Sequence, residues 1–157
     1  MQAHCTVKHD VVVATGGGRD LHADIYTPAN PNGAGILMIH GGGWRQGSKE
    51  MLPSQADAYC RWGFTCVATE YRLTPESPWP AQIHDVKAAL RWMRANAEML
   101  GIEKDRIAAH GNSAGAHLAL LLGGTPGHEL FEGDGGNAAE STAVQGIVAI
   151  FPPVEFY

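Results

Sequence analysis

No stretch of the 157 residues approaches the ~18 consecutive apolar positions of a membrane-spanning helix, so no membrane is expected as a partner. Positive charge is scarce too. Against 16 Asp and Glu stand only 11 Lys and Arg, for a formal charge of −5, and the basic residues nowhere cluster. That argues against nucleic acid and favours neutral or modestly polar small molecules. The three cysteines, Cys5, Cys60 and Cys66, match no zinc or redox spacing and read as free thiols. His4, Cys5 and His9 have no fourth ligand beside them, and nothing in the chain calls for a metal or cofactor. The opening MQAHCTVKHD lacks the apolar core of a secretion signal, which predicts a cytoplasmic protein, or a secreted one if a leader has been removed.

What is present is glycine and short apolar segments. With 20 glycines, 45% hydrophobic and 17% charged residues, 1–157 reads as a single globular α/β domain. The chain is organised around 106–124, RIAAHGNSAGAHLALLLGG. Residues 107–110 form a short apolar strand, and Gly111-Asn112-Ser113-Ala114-Gly115 fits G-x-S-x-G. In that corner the serine is held in a strained conformation, and glycines remove the Cβ atoms that would clash with strand and helix. From Ala114 the residues are small, then leucine-rich, as in a helix lying close on a sheet. Its N-terminus faces Ser113 and favours negative charge there.

Upstream, 10–15 and 21–27 predict two half-exposed strands around a glycine turn, and 35–40 a buried strand running into His40-Gly41-Gly42-Gly43-Trp44. Three consecutive glycines can turn their amides toward a bound oxygen. By itself the run equally suits a glycine-rich strand end. A helix over 54–62, closed by Gly63, precedes a buried strand at 64–69. Pro78 and Pro80 open a helix closed by Gly101. Ile83, Val86, Leu90, Met93, Ala97 and Leu100 mark its packed face, which places Asp85, Lys87, Arg91, Arg94 and Glu98 off it. Residues 125–142 have no period and predict a functional or mobile loop. Residues 144–150 predict a last buried strand. The alternation from 35 onward predicts a mostly parallel sheet with helices on both faces.

HGGGW, followed by YRLTPESPWP and GNSAG, resembles the α/β-hydrolase superfamily, and within it the hormone-sensitive-lipase-like carboxylesterases. The stretch LFEGDGGNAAESTAVQGIVAIFPP is similar to bacterial bifunctional feruloyl and acetylxylan esterase-like proteins. The resemblance runs from about Asp10 to the end. It implies an α/β-hydrolase fold, with Ser113 as nucleophile and an oxyanion hole from the amides of Gly41, Gly42 and Ala114. It assigns His40, Gly43, Trp44, Tyr71, Arg72 and Asn112 to the support of that site. Tyr71 and Arg72 equally read as cover for a strand end, and Trp44 and Trp79 as packing or as platforms for a ring.

In this superfamily the acid and then the histidine follow the serine. Asp85 precedes it and belongs to a helix start, so it is not taken as the acid. Of the eight histidines (His4, His9, His22, His40, His84, His110, His117 and His128) none stands at the position of the base, and only His128 lies in a loop beyond the nucleophile helix. The expectation is a fold truncated after about its sixth strand, with the acid and histidine missing. Such a chain is nearly inactive alone and exposes an unpaired sheet edge to self-association or domain swapping. The roughly 35 residues before the glycine run are too few for a helical cap. An open site favours short-chain or aromatic esters, including acetylated or feruloylated carbohydrate. The alternatives are an amidase, arylformamidase or peptidase of the same fold, or a hydrolase-like binding protein without turnover.

Overall fold

Polar and apolar residues alternate along residues 21–25 of the second strand, and a turn through Gly17 and Gly18, at φ 59° and 80°, folds it against the first as a hairpin. The computed structural model describes residues 4–156. In chain order its elements are β1 (Cys5–Gly16), β2 (Arg19–Pro28), β3 (Gly33–Ile39), α1 (Pro53–Cys60), β4 (Thr65–Thr69), α2 (Ala81–Ala95), α3 (Ala97–Leu100), β5 (Ile102–Asn112), α4 (Ala114–Gly124), α5 (Glu129–Glu132) and β6 (Gly146–Ile150). They build one six-stranded sheet in the order β1-β2-β4-β3-β5-β6. The β1–β2 and β2–β4 pairs are antiparallel, and the remaining three are parallel.

Side chains of a strand alternate between faces, and β3 uses both. Ile36 and Met38 pack with Ala56 and Cys60 of α1, whereas Leu37 and Ile39 pack with α2 and α4 on the opposite side. The sheet is therefore covered on both faces, as alternation of strands and helices demands. No helix among the described residues is long and apolar enough to cross a membrane.

Three sequence expectations need correction. The helix predicted from Pro78 to Gly101 is interrupted at Asn96, whose side chain donates to Trp92 O, and resumes as α3 before Gly101 ends it at φ 66°. The strand predicted as buried at 144–150 is shorter, and β6 lies at the sheet edge with Ile147, Val148 and Ile150 exposed. Most consequential, Asp85, Lys87, Arg91 and Arg94 are buried rather than solvated. A second layer covers the three cations: the 125–145 segment lies across α2 and supplies most of their partners. Lys87 donates to Thr125 O and Glu132, Arg91 to Gly136 O and Glu132, and Arg94 to Lys104 O, Ser141 O and Ala143 O. The predicted loop contains α5 and is tied down along its length.

Glu132 carries the two buried cations Lys87 and Arg91, at 2.7 and 3.3 Å. Breaking such a pair strands charge in the interior. Allowing for the carboxylate's 26% exposure, Glu132→Ala is expected to cost about 2–4 kcal/mol, read as a lower urea midpoint. Burial opposes ionisation of Glu132, but hydrogen bonds from Lys87 and Thr142 win and hold its carboxyl below the ordinary 4.5. Its contribution is therefore complete above about pH 4.5 and lost as pH falls through the lowered folded value. A urea-midpoint series should show Glu132→Ala losing less of its stability than the parent across that acid range.

Candidate active site

The site forms where β3 and β5, parallel neighbours in register from Gly35↔Ile107 to Ile39↔Gly111, end side by side. Ligand sites in open α/β sheets lie at such carboxyl ends. After β5 the chain turns through Ser113, at φ 52° and ψ −118°, directly into α4. A non-glycine residue at positive φ is costly and persists where its surroundings enforce it. Here the enforcement comes from close packing. A Cβ on Gly111 would collide with Gly115 O, and one on Gly115 with Ile39 O and, at 2.6 Å, His40 O. The helix thus rests directly on the end of β3, and Ser113 is left exposed at the rim.

The glycine run after β3 wraps the same rim. A Cβ on Gly41 would lie 2.7 Å from Asn112 O and 3.4 Å from Ser113 Cβ, so this loop abuts the Ser113 corner. Gly42, at φ 124°, accepts hydrogen bonds from the amides of Arg45 and Gln46, which closes the loop into a turn. Gly43, at φ 60°, faces open space. Gly42, Gly43 and Ser113 together line a cleft of about 620 Å³ with Arg45, Gln46 and Pro75.

His40 orients that turn. Its Nδ1 lies 2.7 Å from Gly41 O. A carbonyl only accepts, so Nδ1 bears the proton. Burial pushes the ring's pKa below its usual value, against the pull of that hydrogen bond. The ring stacks on Tyr71 at 4.4 Å, and Tyr71 OH donates to His40 O at 3.0 Å. In a trans peptide the N–H points opposite the preceding C=O. With Gly41 O held by His40, the Gly42 amide is directed away from His40, toward the other side of the turn.

For Arg72 the two readings, support of the hole and cover for a strand end, meet a definite set of contacts. Its guanidinium is bound by both oxygens of Asp85, at 2.8 and 2.7 Å, and packs beneath Gly16 and Gly17. A buried carboxylate holds it there, so it braces the β1–β2 turn and the start of α2. Asp85 also accepts from the Arg72 amide, which disposes of it as a free acid. Asn112 places its backbone carbonyl against Gly41, and its side chain neighbours His110. His128 is exposed, its ring stacked on Phe131 at 4.9 Å. Among the described residues no imidazole or carboxylate hydrogen-bonds Ser113 Oγ.

Two features near the site escaped the sequence reading: the burial of Lys49 and the place of His117 among the aromatic rings. Lys49, just beyond the glycine turn, is buried and bridges Asp24, Asp10 and Glu50 at 2.7–2.9 Å, tying that segment to the hairpin. Nothing in the sequence separates this lysine from a solvated one. Trp44 and Trp79 meet His117 at 5.3 and 6.3 Å, in an aromatic cluster completed by Phe156. For His117 a signal did exist: it stands four residues after Ser113, hence on the same helical face.

Comparison with known proteins agrees with this geometry. A BD-FAE family model matches residues 23–157. The probable carboxylic ester hydrolase LipM of Mycobacterium tuberculosis is 34% identical over 154 residues, which cover 94% of this chain and 35% of that protein. A structure described as a truncated form of a carbohydrate esterase from gut microbiota superposes with a TM-score of 0.88 at 30% identity, covering 98% of this chain and 59% of that one. An esterase from the planctomycete Thermogutta terrifontis gives a TM-score of 0.80 at 29% identity, covering 95% and 53%. The chain thus spans about a third of LipM and somewhat more than half of these two structures. These similarities place the mostly parallel sheet and its helices in the α/β-hydrolase fold.

Proposed function

Because the chain belongs to the BD-FAE family, we propose that it carries the nucleophile and oxyanion hole of a serine carboxylesterase. Short-chain or aromatic esters, among them acetylated or feruloylated carbohydrate, are the substrates. The observation that carries this reading is Ser113 at positive φ on the strand-to-helix corner, with the Gly41–Gly43 turn packed against it. Ser113 Oγ attacks the ester carbonyl. The amides of Gly41, Gly42 and Ala114 receive the developing oxyanion, aided by the N-terminus of α4. An alcohol departs, and water then releases the acid from Ser113. His40 and Tyr71 act by holding the glycine turn, and Gly43 leaves room for the acyl group.

A serine hydroxyl needs a base, and no described residue is hydrogen-bonded to Ser113 Oγ in that role. The proposal therefore has the acid and histidine supplied from outside residues 4–156. The exposed face of β6, with Phe151 at 89% exposure beyond it, supports this reading: it offers an edge where a further strand or a second copy of the chain can pair. The test is ester turnover by the whole protein and by its Ser113→Ala variant. Turnover that survives the substitution removes the proposal.

A further inference from the structure

The wall of the cleft at Ser113 holds a single charged residue, Arg45, beside Gly42, Gly43, Gln46 and Pro75. The amides of Arg45 and Gln46 donate to Gly42 O at 3.2 and 3.1 Å, so both side chains leave the turn that carries the Gly42 amide. Arg45 is exposed. Of the chain's lysines and arginines, only Arg45 and Lys8 have no side-chain partner among the described residues. Lys8 borders a separate cavity, against Leu100. The acids nearest the cleft along the chain are already neutralised. Glu76, next to Pro75, gives both oxygens to Arg19, at 2.6 and 3.0 Å, and Glu50 is paired with Lys49 at 2.7 Å. In a chain of formal charge −5, the Ser113 cleft therefore keeps an uncancelled positive charge.

We propose that Arg45 selects esters bearing a carboxylate close to the ester group, holding that carboxylate while the carbonyl lies at Ser113. The inference rests on the esterase reading for the carbonyl and adds the charge of the substrate. A guanidinium presents a planar fork of donors that matches the two oxygens of a carboxylate, and it stays protonated at neutral pH. Gln46, whose side-chain amide is likewise without a partner among the described residues, offers a further donor from the next position. A neutral ester of the same size leaves the fork to water and gains nothing from it. The carboxylate can stand on the acyl side, as in the half-ester of a dicarboxylic acid, or on the alcohol side, as in an acetylated uronic acid. Main-chain hydrogen bonds close the turn, so Arg45 can be replaced without opening it.

The test is kcat/KM of the whole protein at neutral pH for two matched pairs: monomethyl glutarate against methyl hexanoate, and acetylated galacturonic acid against acetylated galactose. At least one charged ester is expected to be preferred about tenfold over its neutral match. Which pair shows the preference tells the acyl side from the alcohol side. Arg45→Gln should bring the ratio close to one, and Arg45→Lys, which keeps the charge but not the fork, should retain part of it. Sodium chloride at about 0.5 M should erode the ratio in the parent. Calorimetric titration of both pairs into the Ser113→Ala whole protein reads the same preference without turnover, and Arg45→Gln should abolish it there too. No preference in either pair, or one that survives Arg45→Gln, overturns the proposal. Failure of the esterase reading gives a different result: turnover is absent or ignores Ser113→Ala, while the charged esters still bind more tightly than their neutral matches in an Arg45-dependent way.

Discussion

Ser113→Ala is expected to lower ester turnover on the order of 10⁶-fold wherever a base is present, and to change almost nothing in residues 1–157 alone. The two arms follow from one fact. Serine and base act as a unit, so removing either forfeits nearly the whole effect of both. On the proposed reading this chain carries the hole and the nucleophile, but Ser113 Oγ has no hydrogen-bonded histidine among the described residues. p-Nitrophenyl acetate should therefore be hydrolysed by the 157-residue chain and by its Ser113→Ala variant at similar, near-background rates. In the whole protein the same substitution should separate the two rates by several orders of magnitude. Serine-dependent turnover by the short chain at an ordinary esterase rate would mean that a base lies within 1–157 or its oligomer. His128 and His117 would then be the residues to substitute next.

Gly115→Ala should prevent folding or cost about 4 kcal/mol or more, far above the usual effect of a single methyl group. The added Cβ would meet backbone, not a flexible side chain: Ile39 O, and His40 O at 2.6 Å. Neither can move without displacing β3, which carries the glycine turn, or α4, which carries Ser113. Gly43→Ala supplies the contrast. Nothing lies within 4 Å of its Cβ position, so only the strain of φ 60° remains, worth roughly 1–2 kcal/mol. Urea midpoints and soluble yields for the two variants measure the difference. A Gly115→Ala protein as stable as Gly43→Ala would mean that the helix does not rest on the strand end.

Both results draw on features that were legible at very different levels. The parallel strands could be read because apolar runs bounded by glycine and proline have few other uses, and the G-x-S-x-G corner because only glycine tolerates such close backbone approach. The face of α2 is the opposite case. Its spacing of Ile83, Val86, Leu90 and Met93 correctly located one buried stripe, but the same rule left Asp85, Lys87, Arg91 and Arg94 to solvent. Periodicity reports which side of a helix is apolar. It cannot report that a segment forty residues later will bring carbonyls and Glu132 to satisfy buried cations. Arg72, left open between supporting the hole and covering a strand end, shows the same limit: its position beside Tyr71 was visible, but the two oxygens of Asp85 that claim it were not.

By itself, then, the sequence determined the strand-and-helix alternation, the G-x-S-x-G corner and the glycine turn, because these depend on local backbone geometry and on residues close along the chain. Only the tertiary structure decided that His40 rather than Arg72 orients the turn, that the acidic segment is a fixed cover over α2, and that Trp44, Gln82 and His117 surround one cavity. Those outcomes depend on which long-range partners satisfy buried polar groups, and pairing of that kind leaves no period in a sequence.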